Sequence, residues 1–259
     1  MSAEPNLPPA QAPHQPLTDY YASEDERAGF VRRMFDSTAE DYDRMERILG
    51  FGTGPWYRGE ALERAGLKAG MRIVDIGTGT GLVAREAVRI TGDASLVVGV
   101  DPSPGMMAQA KLPGVQLVEG RAEAIPFPDA SFDFLSMGYA LRHISDLSVA
   151  FREFHRVMKP GARLCLLEIT RPESAWGRFL LKIYMKGIVP LLAFVVGRQK
   201  QGTCKLWRYY WDTIEACVPP AQVVATLEAA GFTMVRRHIE TKGLSILAEY
   251  QATKPLEAR

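Results

Sequence analysis

The chain runs Arg72-Ile73-Val74-Asp75-Ile76-Gly77-Thr78-Gly79-Thr80-Gly81, an apolar strand that leads directly into three glycines at alternate positions. Glycine permits positive φ angles and lets a ligand approach the backbone where a Cβ would collide. Residues Leu82 to Ile90 continue with the apolar spacing of a helix. This order of strand, glycine-rich loop and helix predicts a loop that binds a nucleotide-type cofactor.

The spacing and charge of the loop indicate which cofactor it binds. A dinucleotide fingerprint requires a third glycine five residues after the first, and Leu82 occupies that position. The Asp75 carboxylate would repel a pyrophosphate, whereas S-adenosylmethionine carries a cationic sulfonium and an α-ammonium group. The charge pattern therefore favours S-adenosylmethionine over a nicotinamide nucleotide.

A second buried strand is predicted over Ser95 to Asp101. In open α/β sheets the ligand crosses the carboxyl ends of the strands, where an acid such as Asp101 can accept both ribose hydroxyl protons. Pro102 to Met107 then turns into a helix, which would place Met106 against an adenine ring. Ordinary core packing is an equally good interpretation of this methionine.

Composition limits the classes of function. A chain of 259 residues with 47% hydrophobic residues can bury one substantial core. The net charge of +1 gives no global electrostatic footprint for nucleic acid, so no nucleic-acid partner is expected. The three cysteines, Cys165, Cys204 and Cys217, form no metal-spaced cluster, so no metal site is predicted. The start of the chain has no secretory pattern, and we expect a cytoplasmic enzyme.

The predicted domain organisation has two parts. Residues 1–22 are expected to form a disordered, proline-rich tail that includes His14, and residues 23–259 a single α/β domain. Within the domain, 23–66 is predicted to be a helical lid and 172–215 a helical insert. Alternating β-rich and helical patterns between 71 and 171 predict a parallel sheet with helices on both faces. Strands are expected near 72–76, 96–101, 115–118, 132–137 and 163–169, helices near 80–91, 104–110 and 147–158, and an antiparallel strand pair at 233–239 and 244–252.

These motifs together resemble a known family. Asp75–Gly81, Gly99-Val-Asp101, Ala122–Asp129, Leu141-Arg142 and Arg156–Gly161 are similar to class I S-adenosylmethionine-dependent methyltransferases. Within that superfamily the chain most resembles the ubiquinone/menaquinone biosynthesis C-methyltransferases. The resemblance implies a Rossmann-like fold with a mostly parallel seven-stranded sheet. It also implies S-adenosylmethionine as methyl donor and S-adenosylhomocysteine as product.

The resemblance also implies a set of cofactor contacts. It places Tyr42 over the cofactor, gives Thr80 and Asp101 binding roles, and lets Arg121-Ala122 bracket the adenine. Four positions depart from the family pattern: Arg121 replaces an Asn or Asp, His143 and Glu46 each replace an Asn, and Gly138 replaces a Ser. We expect the cofactor site to comprise Tyr42, Asp75, Gly77, Thr78, Gly79, Thr80, Gly81, Asp101, Pro102, Met106, Arg121, Ala122, Glu123, Met137 and Gly138.

The segment that follows the predicted fourth strand contains three candidate catalytic residues, Tyr139, Arg142 and His143. Attack by a ring carbon requires an electron-rich acceptor such as an ionised phenol, and Arg142 is predicted to stabilise the phenolate and lower its pKa. The resemblance implies an arginine here that helps to deprotonate the acceptor. His143 is a candidate base, and Tyr139 a candidate contact to the methyl group or the acceptor. A surface ion pair of Arg142 with Asp146, local hydrogen bonding by His143 and packing by Tyr139 remain open alternatives.

The insert at 172–215 is basic and amphipathic. Its uninterrupted apolar run, Ile188 to Val196, is shorter than the ~20 residues that span a bilayer. The insert is predicted to line a channel for a hydrophobic aromatic acceptor and to rest on anionic lipid at the inner face of the membrane. A simple helical cap is the alternative. Arg208 and Tyr209 are predicted to face the acceptor head group.

The function predicted from these features is C-methylation of a hydrophobic aromatic acceptor, such as a polyprenyl quinol or its precursor. Two alternatives remain. One is methylation of a phospholipid amine or a phenolic natural product. The other is a non-catalytic, cofactor-binding scaffold of a membrane-associated biosynthetic complex. The sequence leaves open whether the chain forms a homodimer.

Overall fold

A seven-stranded sheet forms the centre of the protein. The computed structural model describes residues 11–50, 52–172, 174–196, 200–241 and 246–256. The spatial order of the strands is β3-β2-β1-β4-β5-β7-β6. Strands β1 to β5 pair in parallel and β7 is antiparallel to both β5 and β6, which confirms the predicted mostly parallel sheet and its antiparallel pair. The strands are β1 Ile73–Ile76, β2 Val97–Asp101, β3 Gln116–Glu119, β4 Phe132–Gly138, β5 Met158–Ile169, β6 Thr233–Ile239 and β7 Leu247–Thr253.

The helices follow the predicted alternation with the strands, and their bounds differ from the expected ones at several ends. The helix expected at 104–110 is a single turn, and β5 begins at Met158 because the Lys159-Pro160-Gly161 segment continues into the strand. A π-helical turn at Tyr184–Ile188 joins α6 directly to α7. The helices are α1 Glu24–Leu49, α2 Gly54–Ala65, α3 Leu82–Thr91, α4 Pro104–Met107, α5 Leu147–Val157, α6 Ala175–Ile183, α7 Val189–Val196, α8 Lys200–Ala216 and α9 Pro220–Ala229.

Both faces of the sheet are covered. Neighbouring residues of a strand point to opposite faces, so Val74 and Ile76 pack on one side against α5 and α9, with Phe151 at its centre. Ile73 and Phe134 pack on the other side against α2 and α3. The sheet is therefore buried on two sides, as the long apolar runs of its parallel strands predict.

A third cluster, which is rich in aromatic residues, lies over the carboxyl edge of the sheet. It joins α1 to α6, α7 and α8, with Met45 of α1 and Trp211 of α8 among its buried members. The predicted lid and the predicted insert therefore pack against each other above the strand ends. None of the helices in the described ranges combines the length and apolar character needed to cross a membrane.

The structure corrects the expected extent of the disordered tail. Residues 1–10 lie outside the described residues, but 11–22 are packed on the domain. The Leu147 N–H donates to the Gln11 carbonyl at 2.8 Å, and the Val218 N–H donates to the Pro13 carbonyl at 2.8 Å. Prolines exclude a helix or a strand, yet they permit an extended chain that offers its carbonyl groups to neighbouring elements. Composition alone did not distinguish a disordered tail from an extended segment that is packed on the domain.

His14, which the composition assigns to a disordered tail, is only 2% exposed. Its Nδ1 lies 2.7 Å from the Gln15 carbonyl oxygen, and its Nε2 lies 2.9 Å from Nη2 of Arg27. Arg27 Nη2 also donates to the Arg142 carbonyl oxygen at 2.7 Å. The segment therefore supports, through Arg27, the short turn Leu141–His143 that follows β4.

We predict that His14→Ala lowers the free energy of unfolding by about 1–3 kcal/mol, because the buried Arg27 loses a hydrogen-bond acceptor. Urea denaturation followed by circular dichroism measures the change. His238→Ala, at an exposed position on β6, is the matched control and should alter stability by no more than about 0.5 kcal/mol. Equal stability of the two variants would contradict the packing of residues 11–22.

Candidate active site

A cavity of about 450 Å³ opens at the carboxyl edge of the sheet, between the strand ends and helices α1, α2 and α8. This is the edge at which ligands bind in open α/β sheets. Most of the sequence-predicted site residues come together here. Those that line the cavity are Tyr42, Gly77, Thr78, Gly79, Thr80, Asp101, Pro102, Met106, Arg121, Ala122, Glu123, Gly138, Tyr139 and His143.

The glycine loop after β1 forms the floor of the cavity. Gly77 and Gly79 have φ angles of 66° and 55°, which favour glycine. A Cβ on Gly77 would lie 2.6 Å from the Cβ of Ala140, and a Cβ on Gly79 would lie 3.2 Å from Cε of Met106. The two glycines therefore let the loop pack closely against Ala140 and Met106 while its backbone lines the cavity.

Asp75 lies beneath this loop and does not line the cavity, so its predicted role in holding the cofactor stays a prediction. Its carboxylate accepts hydrogen bonds from Thr78 Oγ1 at 2.8 Å and from Ser136 Oγ at 2.7 Å. Burial raises the pKa of Asp75 to about 7, although these two hydrogen bonds oppose the shift. Asp75 thus holds the loop to β4 from below.

Two further predicted cofactor residues lie outside the cavity lining. Gly81 precedes the first turn of α3, and Met137 is buried in the core below the sheet edge. Gly138 does line the cavity, and the packing around it explains why a glycine occupies this position. A Cβ at this position would lie 2.5 Å from Cγ2 of Val83, so a serine would not fit without displacement of the Val83 side chain.

Asp101 ends β2 at the rim of the cavity. Its Oδ2 accepts from the Gly79 N–H and its Oδ1 from the Ser103 N–H, both at 2.8 Å. Burial raises the pKa of Asp101 to about 6 against these hydrogen bonds, and the nearby Asp36 carboxylate raises it further. Each carboxylate oxygen retains a second lone pair, which suits it to accept from two ribose hydroxyls.

Two carboxylates of helix α1 that the sequence motifs did not single out hold residues of the cavity lining. Asp36 accepts from Ser103 Oγ at 2.6 Å and from the Gly105 N–H at 2.9 Å, and Asp43 accepts from Thr80 Oγ1. Asp36 and Asp43 are two helical turns apart and share one face of α1. That spacing is visible in the sequence and could have identified them.

The opposite rim carries Arg121, Ala122 and Glu123, as predicted. The Ser145 N–H donates to Glu123 Oε1 at 2.6 Å, and Arg121 Nη2 donates to Ser145 Oγ at 3.2 Å. These bonds tie the segment after β3 to the loop that precedes α5. The arrangement leaves the backbone at Ala122 along the cavity wall, where the sequence places an adenine ring.

The other end of the cavity is aromatic. Phe35, Tyr42, Tyr139, His143 and Tyr210 line it. The Tyr42 and Tyr210 hydroxyl oxygens lie 2.8 Å apart, and the rings of Phe35 and His143 meet edge to face with centroids 5.3 Å apart. This end therefore has apolar ring faces with a few polar atoms between them.

Arg208 and Tyr209 were predicted to face the acceptor, but neither lines the cavity. Tyr210 is the residue of this segment that does. Tyr209 is buried behind His143, with the two rings stacked at 5.6 Å. Arg208 is exposed. Successive residues of a helix point about 100° apart, so only one side chain of this run on α8 faces the cavity, and the sequence did not show which.

Arg142 is fully buried and does not line the cavity, so its predicted effect on the acceptor stays a prediction. Its Nε donates to Glu168 Oε1 at 2.9 Å and its Nη1 to Thr213 Oγ1 at 2.8 Å. The alternative interpretation, an ion pair with Asp146, is wrong, because Asp146 caps α5 by accepting from the Ser148 N–H. Arg142 is thus a positioning residue for the elements around the aromatic end.

His143 lines the cavity, but its environment does not favour the predicted role as a base. Burial, with Arg142 and Arg27 nearby, lowers the pKa of His143 well below its usual value. The ring is therefore neutral at pH 7 and a weak base. Neither ring nitrogen has a hydrogen-bond partner among the described residues, so the imidazole is able to exchange a hydrogen bond with a ligand.

Comparison with known proteins assigns the chain to a family. The family model of the ubiE/COQ5 methyltransferase family matches residues 21–254. The chain belongs to this family. This confirms the resemblance seen in the sequence, and the protein is an S-adenosylmethionine-dependent methyltransferase with the corresponding fold.

Individual relatives agree with this assignment. The methyltransferase is 38% identical over 223 residues to the demethylmenaquinone methyltransferase of Chlorobaculum tepidum, which covers 84% of this chain and 90% of the relative. It is 28% identical over 230 residues to the ubiquinone/menaquinone biosynthesis C-methyltransferase UbiE of Hahella chejuensis, with 86% and 91% covered. Among solved structures, a SAM-dependent methyltransferase from Thermotoga maritima matches with a TM-score of 0.61 and 23% identity over 86% of this chain and 99% of that chain.

The cavity of the methyltransferase fits S-adenosylmethionine, which supplies a methyl group on a positively charged sulfur. Gly77 and Gly79 line the cavity without side chains, and Asp101 offers acceptors for ribose hydroxyls. Asp101 lines the cavity, and Asp36 and Asp43 bond Ser103 and Thr80 of its lining. The negative charges of these carboxylates favour a cationic ligand nearby.

We predict that the affinity for S-adenosylhomocysteine rises between about pH 5 and about pH 7, because Asp101 and Asp75 have pKa values of about 6 and about 7. Only the ionised Asp101 carboxylate accepts from both ribose hydroxyls. Asp101→Asn should weaken binding about 10- to 100-fold at pH 7 and flatten this rise. Isothermal titration calorimetry measures both effects.

Asp133→Asn is the control for this experiment. Asp133 lies at the opposite, amino-terminal end of β4 and pairs with Lys159 at 2.8 Å. The variant should retain the affinity and the pH profile of the wild type. An unchanged profile in Asp101→Asn would remove Asp101 from the cofactor site.

Proposed function

We propose that this methyltransferase C-methylates a hydrophobic aromatic acceptor, a quinol of the ubiquinone or menaquinone type. The observation that carries the proposal is the aromatic end of the cavity, formed by Phe35, Tyr42, Tyr139, His143 and Tyr210. Flat ring faces with few polar groups between them suit a planar, hydroxylated ring. The names of the relatives, a demethylmenaquinone methyltransferase and UbiE, support the same acceptor class.

The residues act mainly by alignment in this proposal. Phe35 and Tyr210 hold the acceptor ring, while Tyr139 and Gly138 border it at the end of β4. Holding two reactants at near-attack distance lowers the barrier by as much as about 7–11 kcal/mol. The neutral imidazole of His143 accepts a hydrogen bond from an acceptor hydroxyl, which fixes the ring in its plane.

Tyr210→Leu should raise the KM for the acceptor by as much as about tenfold, because it removes an aromatic contact worth about 0.5–1.5 kcal/mol, and should leave S-adenosylhomocysteine binding intact. The assay uses methyl-labelled donor with a panel of demethyl-quinols, simple phenols and phosphatidylethanolamine. Tyr184→Leu is the control, since Tyr184 donates to the Leu49 carbonyl away from the cavity.

In this assay we expect the labelled methyl group to appear in the demethyl-quinols. Label only in the amine lipid, or only in simple phenols, would replace the proposed acceptor by one of the alternatives. Absence of label with every acceptor, together with intact cofactor binding, would favour the non-catalytic scaffold.

We also propose that α6 and α7 rest on an anionic membrane surface, from which a lipid-soluble acceptor enters. These helices and the turn between them expose Trp176, Phe179, Leu180, Ile183, Ile188, Leu191, Phe194 and Val195. Arg178 and Lys182 are exposed on α6 beside these side chains. A contiguous apolar surface flanked by cations matches a bilayer interface of anionic lipids.

The double variant Phe179→Ser/Leu191→Ser should bind vesicles of phosphatidylglycerol and phosphatidylcholine less tightly, by about 1.5–3 kcal/mol for each apolar side chain that is withdrawn from the bilayer. Vesicle co-sedimentation measures the change. Met234→Ser, at a 70% exposed position on β6, is the matched control and should bind like the wild type. Identical binding by all three proteins would place the contact elsewhere.

A further inference from the structure

Arg58 of α2 is a buried cation that lines the cavity and that neither the sequence motifs nor the predicted catalytic set identified. The residue is 2% exposed. Its Nη2 donates to Glu46 Oε1, whereas Nε and Nη1 have no hydrogen-bond partner among the described residues. A buried donor on a charged group is costly to leave unpaired, so these two donors indicate a ligand.

The two other arginines that line the cavity, Arg32 and Arg121, differ from Arg58 in exposure and in hydrogen bonding. Arg32 is half-exposed and pairs with Glu119 at 3.0 Å. Arg121 is half-exposed and bonds Ser145 at 3.2 Å, with Glu123 also near. Within the described lining, Arg58 therefore combines full burial with donors left over, and a charge in such surroundings is screened little by solvent.

Three neighbours hold the Arg58 guanidinium in place. Glu46 on α1 pairs with it, and its Cζ lies 5.7 Å from the centre of the Tyr139 ring. A Cβ on Gly54 would lie 2.5 Å from Nη1, so the pair occupies the place that a side chain at position 54 would take. Burial lowers the pKa of Arg58, but Tyr139 and Glu46 outweigh that effect, and the guanidinium stays charged.

We infer that Nε and Nη1 of Arg58 bind an anionic oxygen of a ligand in this cavity. Two oxygens of this chemistry enter the site. One belongs to the α-carboxylate at the amino-acid end of the cofactor, and the other is the ionised ring oxygen of the acceptor, a source that rests on the proposed function. Arg58 would in the second case lower the pKa of the acceptor phenol, the task that the buried Arg142 cannot perform by contact.

Glu46 is part of this site because it fixes one edge of the guanidinium and leaves Nε and Nη1 without a partner among the described residues. A carboxylate forms a strong, charge-assisted bond to Arg58. The pair therefore joins the lid helix α1 to α2 at the point where an anion binds.

Binding measurements with two ligands test the cofactor carboxylate as the source. S-adenosylhomocysteine has the amino-acid end, whereas 5′-methylthioadenosine shares the adenosine and the sulfur but lacks it. Arg58→Met should weaken S-adenosylhomocysteine about 10- to 100-fold and leave 5′-methylthioadenosine unchanged, which also shows that the variant is folded. Arg58→Lys should retain part of the affinity because it keeps the charge.

An absorbance titration tests the acceptor oxygen as the source. A nitrophenol bound in the presence of 5′-methylthioadenosine should ionise at lower pH in the wild type than in free solution, and Arg58→Met should abolish this difference. Glu46→Gln should give an intermediate shift. Arg89→Met is the matched control for both measurements, since Arg89 is an exposed arginine on α3 that pairs with Glu63 and Glu86.

A loss with Arg58→Met in either measurement supports the inference and identifies the source of the oxygen. Unchanged affinity for both nucleosides together with an unchanged phenol titration would overturn it. Neither measurement needs turnover, so the result is independent of the acceptor panel. If the quinols fail as substrates while Arg58 still binds an anion, only the proposed function is lost.

Discussion

One buried ion pair, between Arg142 and Glu168, holds together the elements that shape the acceptor end of the cavity. Arg142 bonds Glu168 at the end of β5 and Thr213 on α8, and its Cζ lies 5.0 Å from the ring centre of Tyr210. Loss of one partner would leave an uncompensated buried charge, at a cost of about 3–5 kcal/mol. Burial lowers the pKa of His143, and the charge of Arg142 lowers it further. The ion pair thus joins the elements that shape this end and reinforces the neutral state of His143.

Helix α1 transmits this organisation to the cofactor end. Asp36 and Asp43 bind the segments after β2 and β1, while Glu46 holds Arg58. The three carboxylates lie along the side of one helix that faces the cavity. Acids therefore gather around the cofactor loop and Asp101, and the described lining also contains one fully buried arginine, Arg58. The methyl donor carries both positive and negative groups, and the cavity offers charges of both signs.

The sequence was informative where a local pattern determines the structure. The glycine loop after β1, the acid at the end of β2 and the alternation of strands with helices are predictable from residue spacing, and the structure agrees. It was less informative where side-chain direction decides the outcome. Arg142 and His143 are neighbours in a short turn, yet only His143 faces the cavity. Tyr209 and Tyr210 differ in the same way, and the packed segment at 11–22 has the composition of a disordered tail.

The π-helical turn at Tyr184–Ile188 sets the helical phase of α7 relative to α6. Such a turn inserts about one extra residue, which rotates the next helix by about 100° compared with an uninterrupted α-helix. Leu191 and Val195 on α7 are exposed, as are Trp176 and Phe179 on α6. Both short helices consequently present apolar side chains on either side of this turn.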